Sequence, residues 1–144
     1  MLNKKMDTIG DYKIINTIGQ GKFSKVYKVE DANGNIFALK VIDLGNDDKN
    51  LRNTVVMDYN IIKQLSEGQF GDLIPKYYDL FEYIYDGAEV YVIVMEYLEG
   101  ITLDDYYLDN VNKNIVDYNF LYSCIKTISL TLQYIHKYNI VHFL

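Results

Sequence analysis

The chain has 144 residues, 49% of them hydrophobic, enough apolar material for one buried core and short of two full domains. Its net charge of −6 offers no basic field to nucleic acid or anionic lipid, and its single cysteine, Cys124, excludes an internal disulfide. No apolar run approaches the ~20 residues that span a bilayer and no signal peptide is visible, so a soluble cytoplasmic protein is expected, with neither nucleic acid nor membrane as partner.

Residues 1–10 read as a flexible lead. Tyr12 to Ile18 has strand composition, and Gly19-Gln20-Gly21 breaks it. A second strand is expected from Phe23 to Glu30, with Ser24, Val26 and Lys28 on one face. Asn33-Gly34 inside Asp31–Asn35 is a strong short-range hairpin signal. The third strand, Ile36 to Ile42, places Ala38, Lys40 and Ile42 on one face, while Phe37, Leu39 and Val41 face a core. A lysine set among apolar residues on a strand face needs an acidic partner or an anionic ligand. Bare glycine backbone beside a fixed cation is one common way to hold a polyphosphate.

The polar loop Gly45 to Asn50 leads into a helix expected from Leu51 to Ser66. Its apolar stripe is Leu51, Val55, Ile62 and Leu65, and the position missing from that stripe is Asp58. A buried lone carboxylate costs several kcal/mol, so a cationic partner is expected. Arg52 faces elsewhere on the helix, and Lys40 is the complementary anomaly, so an ion pair between Lys40 and Asp58 is predicted. Strands follow over Leu73–Tyr85 and Val90–Tyr97, joined through Asp86-Gly87, the second nearly all apolar and hence interior. Thr102 caps a short helix, and Asp117 opens a longer one to about Tyr138 with Phe120, Leu121, Cys124, Ile128, Leu132 and Ile135 inward. His136 and His142 are not at i, i+4 spacing and no acidic or cysteine cluster accompanies them, so no metal site is expected.

Five strands, one helix after the third and then further helices make an α+β order. With the glycine turn, Ala38-Leu39-Lys40 and the inward acid, the chain resembles a eukaryotic-type protein kinase domain: an upper lobe over 11–98, then a hinge and the start of a lower lobe over 99–144. The resemblance implies a five-stranded antiparallel sheet with one regulatory helix, followed by two helices of an incomplete lower lobe. It implies an ATP site in which Ile18, Gly19, Gly21 and Ser24 belong to the glycine-rich loop and Lys40 meets the α- and β-phosphates. Val26 and Ala38 would roof the adenine, Met95 would be the gatekeeper, and Glu96 and Leu98 would offer backbone groups to the base. Asp58 stands where the family has the glutamate that pairs with the lysine, and is shorter by one methylene, ~1.5 Å of reach.

His142 matches the histidine of the catalytic loop, largely structural in that family, but here only Phe143 and Leu144 follow. The family's arginine-aspartate, its asparagine and its Asp-Phe-Gly are not among these residues, so the ligands expected for magnesium are absent. The expectation is weak ATP binding, no phosphotransfer by these residues alone, and an uncovered face on helix 117–138 open to self-association or a protein partner. The alternative is a pseudokinase-like regulatory or protein-interaction module.

Overall fold

The computed structural model describes residues 8–45, 49–111 and 117–140. In chain order the elements are β1 (Thr8–Ile9), β2 (Tyr12–Gln20), β3 (Ser24–Glu30), β4 (Ile36–Asp43) and α1 (Lys49–Ser66). One turn of 3-10 helix at Gly71–Leu73 precedes β5 (Tyr77–Tyr85), β6 (Ala88–Glu96), α2 (Leu103–Val111) and α3 (Tyr118–His136). The fold is α+β, with an antiparallel sheet in the order β1-β2-β3-β4-β6-β5. The five expected strands are present, and a sixth of two residues joins them. Thr8 and Ile9 pair with Lys13 and Tyr12, and Ile9 is fully buried, so the end of the expected flexible lead belongs to the sheet. Residues 1–7 of that lead lie outside the described residues.

Alternation along the strands builds a core on each face of the sheet. On one face Tyr27 and Val29 of β3, Leu39 and Val41 of β4, and Val92 and Val94 of β6 pack together. On the other, Ile42, Tyr91 and Ile93 meet Val55 and Tyr59 of α1. β6 sits between β4 and β5 and is covered on both faces, which explains its unbroken apolar sequence. The β5–β6 hairpin turns on Asp86 and Gly87, both with left-handed backbone (φ 50° and 81°), the geometry that matches strand twist in a two-residue loop. In the β3–β4 loop the Asp31 carboxylate accepts from the backbone N–H of Asn33 and of Asn35, each at 2.8 Å.

β5 begins at Tyr77 and not at Leu73. Pro75 has no N–H to give a ladder, and the residues before it close the short 3-10 turn instead. Both lower helices are capped as expected: Thr102 Oγ1 accepts from Asp105 N–H at 3.0 Å, and Asp117 Oδ1 accepts from Phe120 N–H at 3.0 Å. A third core joins α1 to α3 through Leu65, Ile74, Tyr134 and Ile135. Of the stripe expected inward on α3, Ile135 is buried, whereas Phe120, Ile128 and Leu132 are 36%, 51% and 38% exposed. The third core reaches only the last turns of α3; toward its start Tyr106 of α2 packs on Phe120 with ring centroids 4.2 Å apart and Leu121 and Cys124 are half-buried, while Ile128 and Leu132 stay open. No described helix is long and apolar enough to cross a membrane.

Candidate functional site

Cross-strand pairing gathers most of the sequence-predicted site on one sheet face, because residues directly opposite in a ladder point the same way. Gly19 pairs with Val26, Val26 with Lys40, and Lys40 with Ile93. The next rung runs Lys28, Ala38, Met95, and the one on the other side runs Ser24, Ile42, Tyr91. Ala38 is buried, while Val26, Lys40 and Met95 are half-buried, so the lysine rises from an apolar strip. Ile18 lies at the register shift between Thr17 and Gly19 and is 44% exposed.

The glycine turn is tighter than its sequence suggests. β2 continues through Gly19 and Gln20, leaving Gly21-Lys22-Phe23 to reverse the chain. Gly21 N–H donates to Ser24 O at 2.8 Å, and Asp43 N–H donates to Phe23 O at 3.0 Å. Neither Gly19 nor Gly21 has the left-handed backbone that demands glycine. A Cβ at Gly19 would make ordinary contact with Val26 at 3.5 Å, and one at Gly21 would stand 3.2 Å from the rotatable Ser24 hydroxyl. The fold alone therefore does not require a bare backbone at either position.

Lys40 and Asp58 do not form the predicted ion pair. Asp58 is exposed, and the helix position facing the sheet belongs to its neighbour Tyr59, buried beside Val55. Tyr59 stacks on Tyr77 of β5 with ring centroids 5.9 Å apart. Burying that aromatic pair gains apolar contact, whereas turning the carboxylate inward would desolvate it. One residue of helix is a 100° rotation, so Tyr59 inward leaves Asp58 outward. Burial pushes the Tyr77 phenol above its usual range, and the Asp58 charge adds to that push. Among the described residues Lys40 has no ion pair.

After Met95 the strand gives way to the linker that leads to α2. Glu96 is tied twice to Lys76: its N–H donates to Lys76 O at 2.8 Å, and its carboxylate accepts from Lys76 N–H at 3.1 Å. Glu96 and Leu98 line an open cleft with Asp72, Ile74, Pro75 and Lys76 that includes neither Lys40 nor the glycine turn. His136 sits in the last turn of α3, and His142 lies outside the described residues. Among the described residues no group of three or more His, Cys, Asp or Glu could hold a metal ion.

Sequence reasoning missed two tertiary ties. Arg52 reaches from α1 to Glu82 of β5 at 3.0 Å and to Glu89 of β6, with its guanidinium 5.9 Å from the Tyr91 ring. The two glutamates flank the Asp86-Gly87 hairpin, which was the available signal. Tyr134 of α3 donates its hydroxyl to Leu65 O at 3.0 Å. Gly68 permits this approach, since a Cβ there would collide with that hydroxyl.

The protein kinase domain family matches residues 12–143. The chain is 32% identical over 141 residues to the mouse serine/threonine-protein kinase Nek10, with 90% of this chain and 12% of that protein covered. It is 26% identical over 144 residues to an Aurora kinase of Candida glabrata, covering 97% of this chain and 36% of that protein. With cyclin-dependent kinase 1 of Encephalitozoon cuniculi it shares 27% identity over 135 residues, 91% of this chain and 42% of that protein. It thus spans between about a tenth and two fifths of the length of these relatives. The one-face assembly of the glycine turn, Val26, Ala38 and Lys40 agrees with what the match over 12–143 states: the chain belongs to the protein kinase domain family.

Proposed function

We propose that this chain forms the ATP-binding upper lobe of a serine/threonine kinase domain, and that its 144 residues alone bind nucleotide weakly and transfer no phosphate. The carrying observation is Lys40, a half-buried cation on an apolar strip with no ion pair among the described residues. Such a group is stabilised by an anion, and Gly19 brings bare backbone beside Val26, the residue opposite Lys40 in the ladder.

Bound ATP supplies the phosphoryl group in this family. Lys40 would neutralise phosphate charge, and Gly19 and Gly21 would admit phosphate close to the main chain. Ile18, Val26 and Ala38 would cover one side of the base beside Met95, with backbone groups of Glu96 and Leu98 at its edge. Covering one side only leaves much of the ligand wet, which limits affinity. The described residues do not fit a magnesium site, and no step is assigned to that ion. In the same reading the chain works in the cytoplasm, where the unpaired Cys124 stays reduced.

Titration of the 144-residue chain with ATP should give saturable binding. Lys40→Met should weaken it about tenfold, the loss of roughly 1.4 kcal/mol expected for one charge-assisted contact. No binding by the wild type, or equal binding by Lys40→Met, would overturn the reading.

A second reading, a protein-interaction module, is favoured by the open stripe on α3, where Ile125 and Ile128 are 65% and 51% exposed. Sedimentation would separate the two: concentration-dependent self-association abolished by Ile128→Asp supports the module, and a monomer at all concentrations counts against it.

A further inference from the structure

Lys28 lies one rung from Lys40 on the same sheet face, opposite Ala38, which in turn is opposite Met95. Its ammonium does not reach toward Lys40's rung. It sits over the ring of Tyr97, 4.2 Å from the centroid, with both residues half-buried. Tyr97 is the first residue past β6 and stands between Glu96 and Leu98. Beyond it the linker is poorly held: Leu98 and Ile101 are 62% and 69% exposed. Among the described residues no hydrogen bond or ion pair ties Leu98 through Ile101 to the sheet. A cation over an aromatic face is a directional attraction, strongest when partly desolvated, so this contact fixes the start of the linker against β3.

We propose that Lys28 is a positioning residue for the nucleotide, acting through Tyr97 to set the backbone of Leu98, which follows the strand-held Glu96, at the edge of the base. The inference rests on the reading of Lys40's face as a nucleotide site, and it adds a residue on β3 with no contact to the ligand itself. Because Lys28 acts through the linker, its effect falls on the base and is indifferent to the phosphates. Its charge is engaged by the Tyr97 ring, so a second role as a phosphate ligand would require breaking that contact.

The test titrates the full 144-residue chain with adenosine and, separately, with ATP. Lys28→Met and Tyr97→Leu should each weaken both ligands about threefold, the effect of one partly exposed cation–π contact. The double variant should be no worse than either single change, since both remove the same contact. Lys28→Arg, which keeps a cation over the ring, should restore binding. Both side chains are partly exposed, and circular dichroism checks that each variant is folded; Lys28→Gln replaces Lys28→Met if it is not. A loss confined to ATP would mean direct phosphate contact and overturn the proposal. Additive losses, or unchanged adenosine affinity in Lys28→Met, would overturn it as well. A wild type that binds neither ligand would instead remove the nucleotide reading, and this inference with it.

Discussion

The Tyr134 hydroxyl donates to the Leu65 carbonyl at 3.0 Å, joining α3 to the last turn of α1 across 69 positions of sequence. Around this bond, Phe70 packs edge-on to Tyr134 with centroids 5.4 Å apart, and Ile74 and Ile135 complete the cluster. Among the described residues it connects the sheet-bearing part of the chain to α3. Tyr134→Phe removes this bond but leaves the Leu65 carbonyl the Gly68 N–H at 3.2 Å, so it should cost about 0.5–1.5 kcal/mol of stability in denaturant unfolding.

Gly68 offers a separate check on the same joint. Gly68→Ala introduces a Cβ where the Tyr134 hydroxyl stands, so one of the two must shift. The expected loss is about 1–3 kcal/mol in the wild type. In the Tyr134→Phe background, with the hydroxyl gone, the same substitution should cost less. A double-mutant cycle with no coupling would show that α3 does not dock there in solution.

Arg52 holds the amino-terminal half of α1 to the β5–β6 hairpin. Burial alone would lower its pKa, but the Glu89 hydrogen bond and the Glu82 charge more than compensate and hold it above its usual value. Both glutamates are largely exposed, which keeps the contribution small. Arg52→Met should lower the unfolding midpoint slightly at low salt and less at high salt, read in 0.05 and 0.5 M salt.

The absence of a Lys40–Asp58 pair predicts additivity. Lys40→Met and Asp58→Asn should change stability independently, to within about 0.5 kcal/mol, because neither side chain satisfies the other. Lys40→Met should leave the nucleotide-free protein as stable as before or more so, since it removes a half-buried charge that has no partner. A coupling above about 1 kcal/mol in the unfolding cycle would show the pair forming in solution.

Tyr77 makes stability sensitive to alkali. Burial and the nearby Asp58 carboxylate raise its pKa above the ordinary 10.0, so the folded chain keeps the phenol proton after the unfolded chain has lost it. The resulting contribution is fully present below about pH 10 and falls as pH rises through the raised value. Tyr77→Phe should flatten that alkaline limb in unfolding midpoints measured from pH 8 to 11, and Asp58→Asn, which lowers only the folded-state pKa, should make it shallower without moving its onset.

Much of the sheet was legible because period-two patterning states which residues share a face. Leu39 and Val41 inward with Ala38, Lys40 and Ile42 opposite was readable, and the register agrees. The Asp86-Gly87 reversal was readable from turn chemistry, and the Thr102 and Asp117 caps from side chains that satisfy helix amides. The orientation of α1 was not. Asp58 and Tyr59 are adjacent, and a stripe of Leu51, Val55, Ile62 and Leu65 tolerates either at the missing position. A tyrosine carries too little apolar contrast to choose from periodicity alone. The choice is made by Tyr77, on a strand that follows the helix, whose ring stacks on Tyr59 and leaves the carboxylate in water.

By itself the sequence determined the order of strands and helices, the position of the glycine turn, and the chemical oddity of a lysine on an apolar strip. These follow from local propensity and spacing, which act within a few residues. Tertiary structure alone decided that Lys40 goes without Asp58, that Arg52 binds Glu82 and Glu89, and that Lys28 covers Tyr97. Each of these depends on side chains from separate elements competing for the same space. The outcome is set by which burial costs least once the sheet and α1 are in contact.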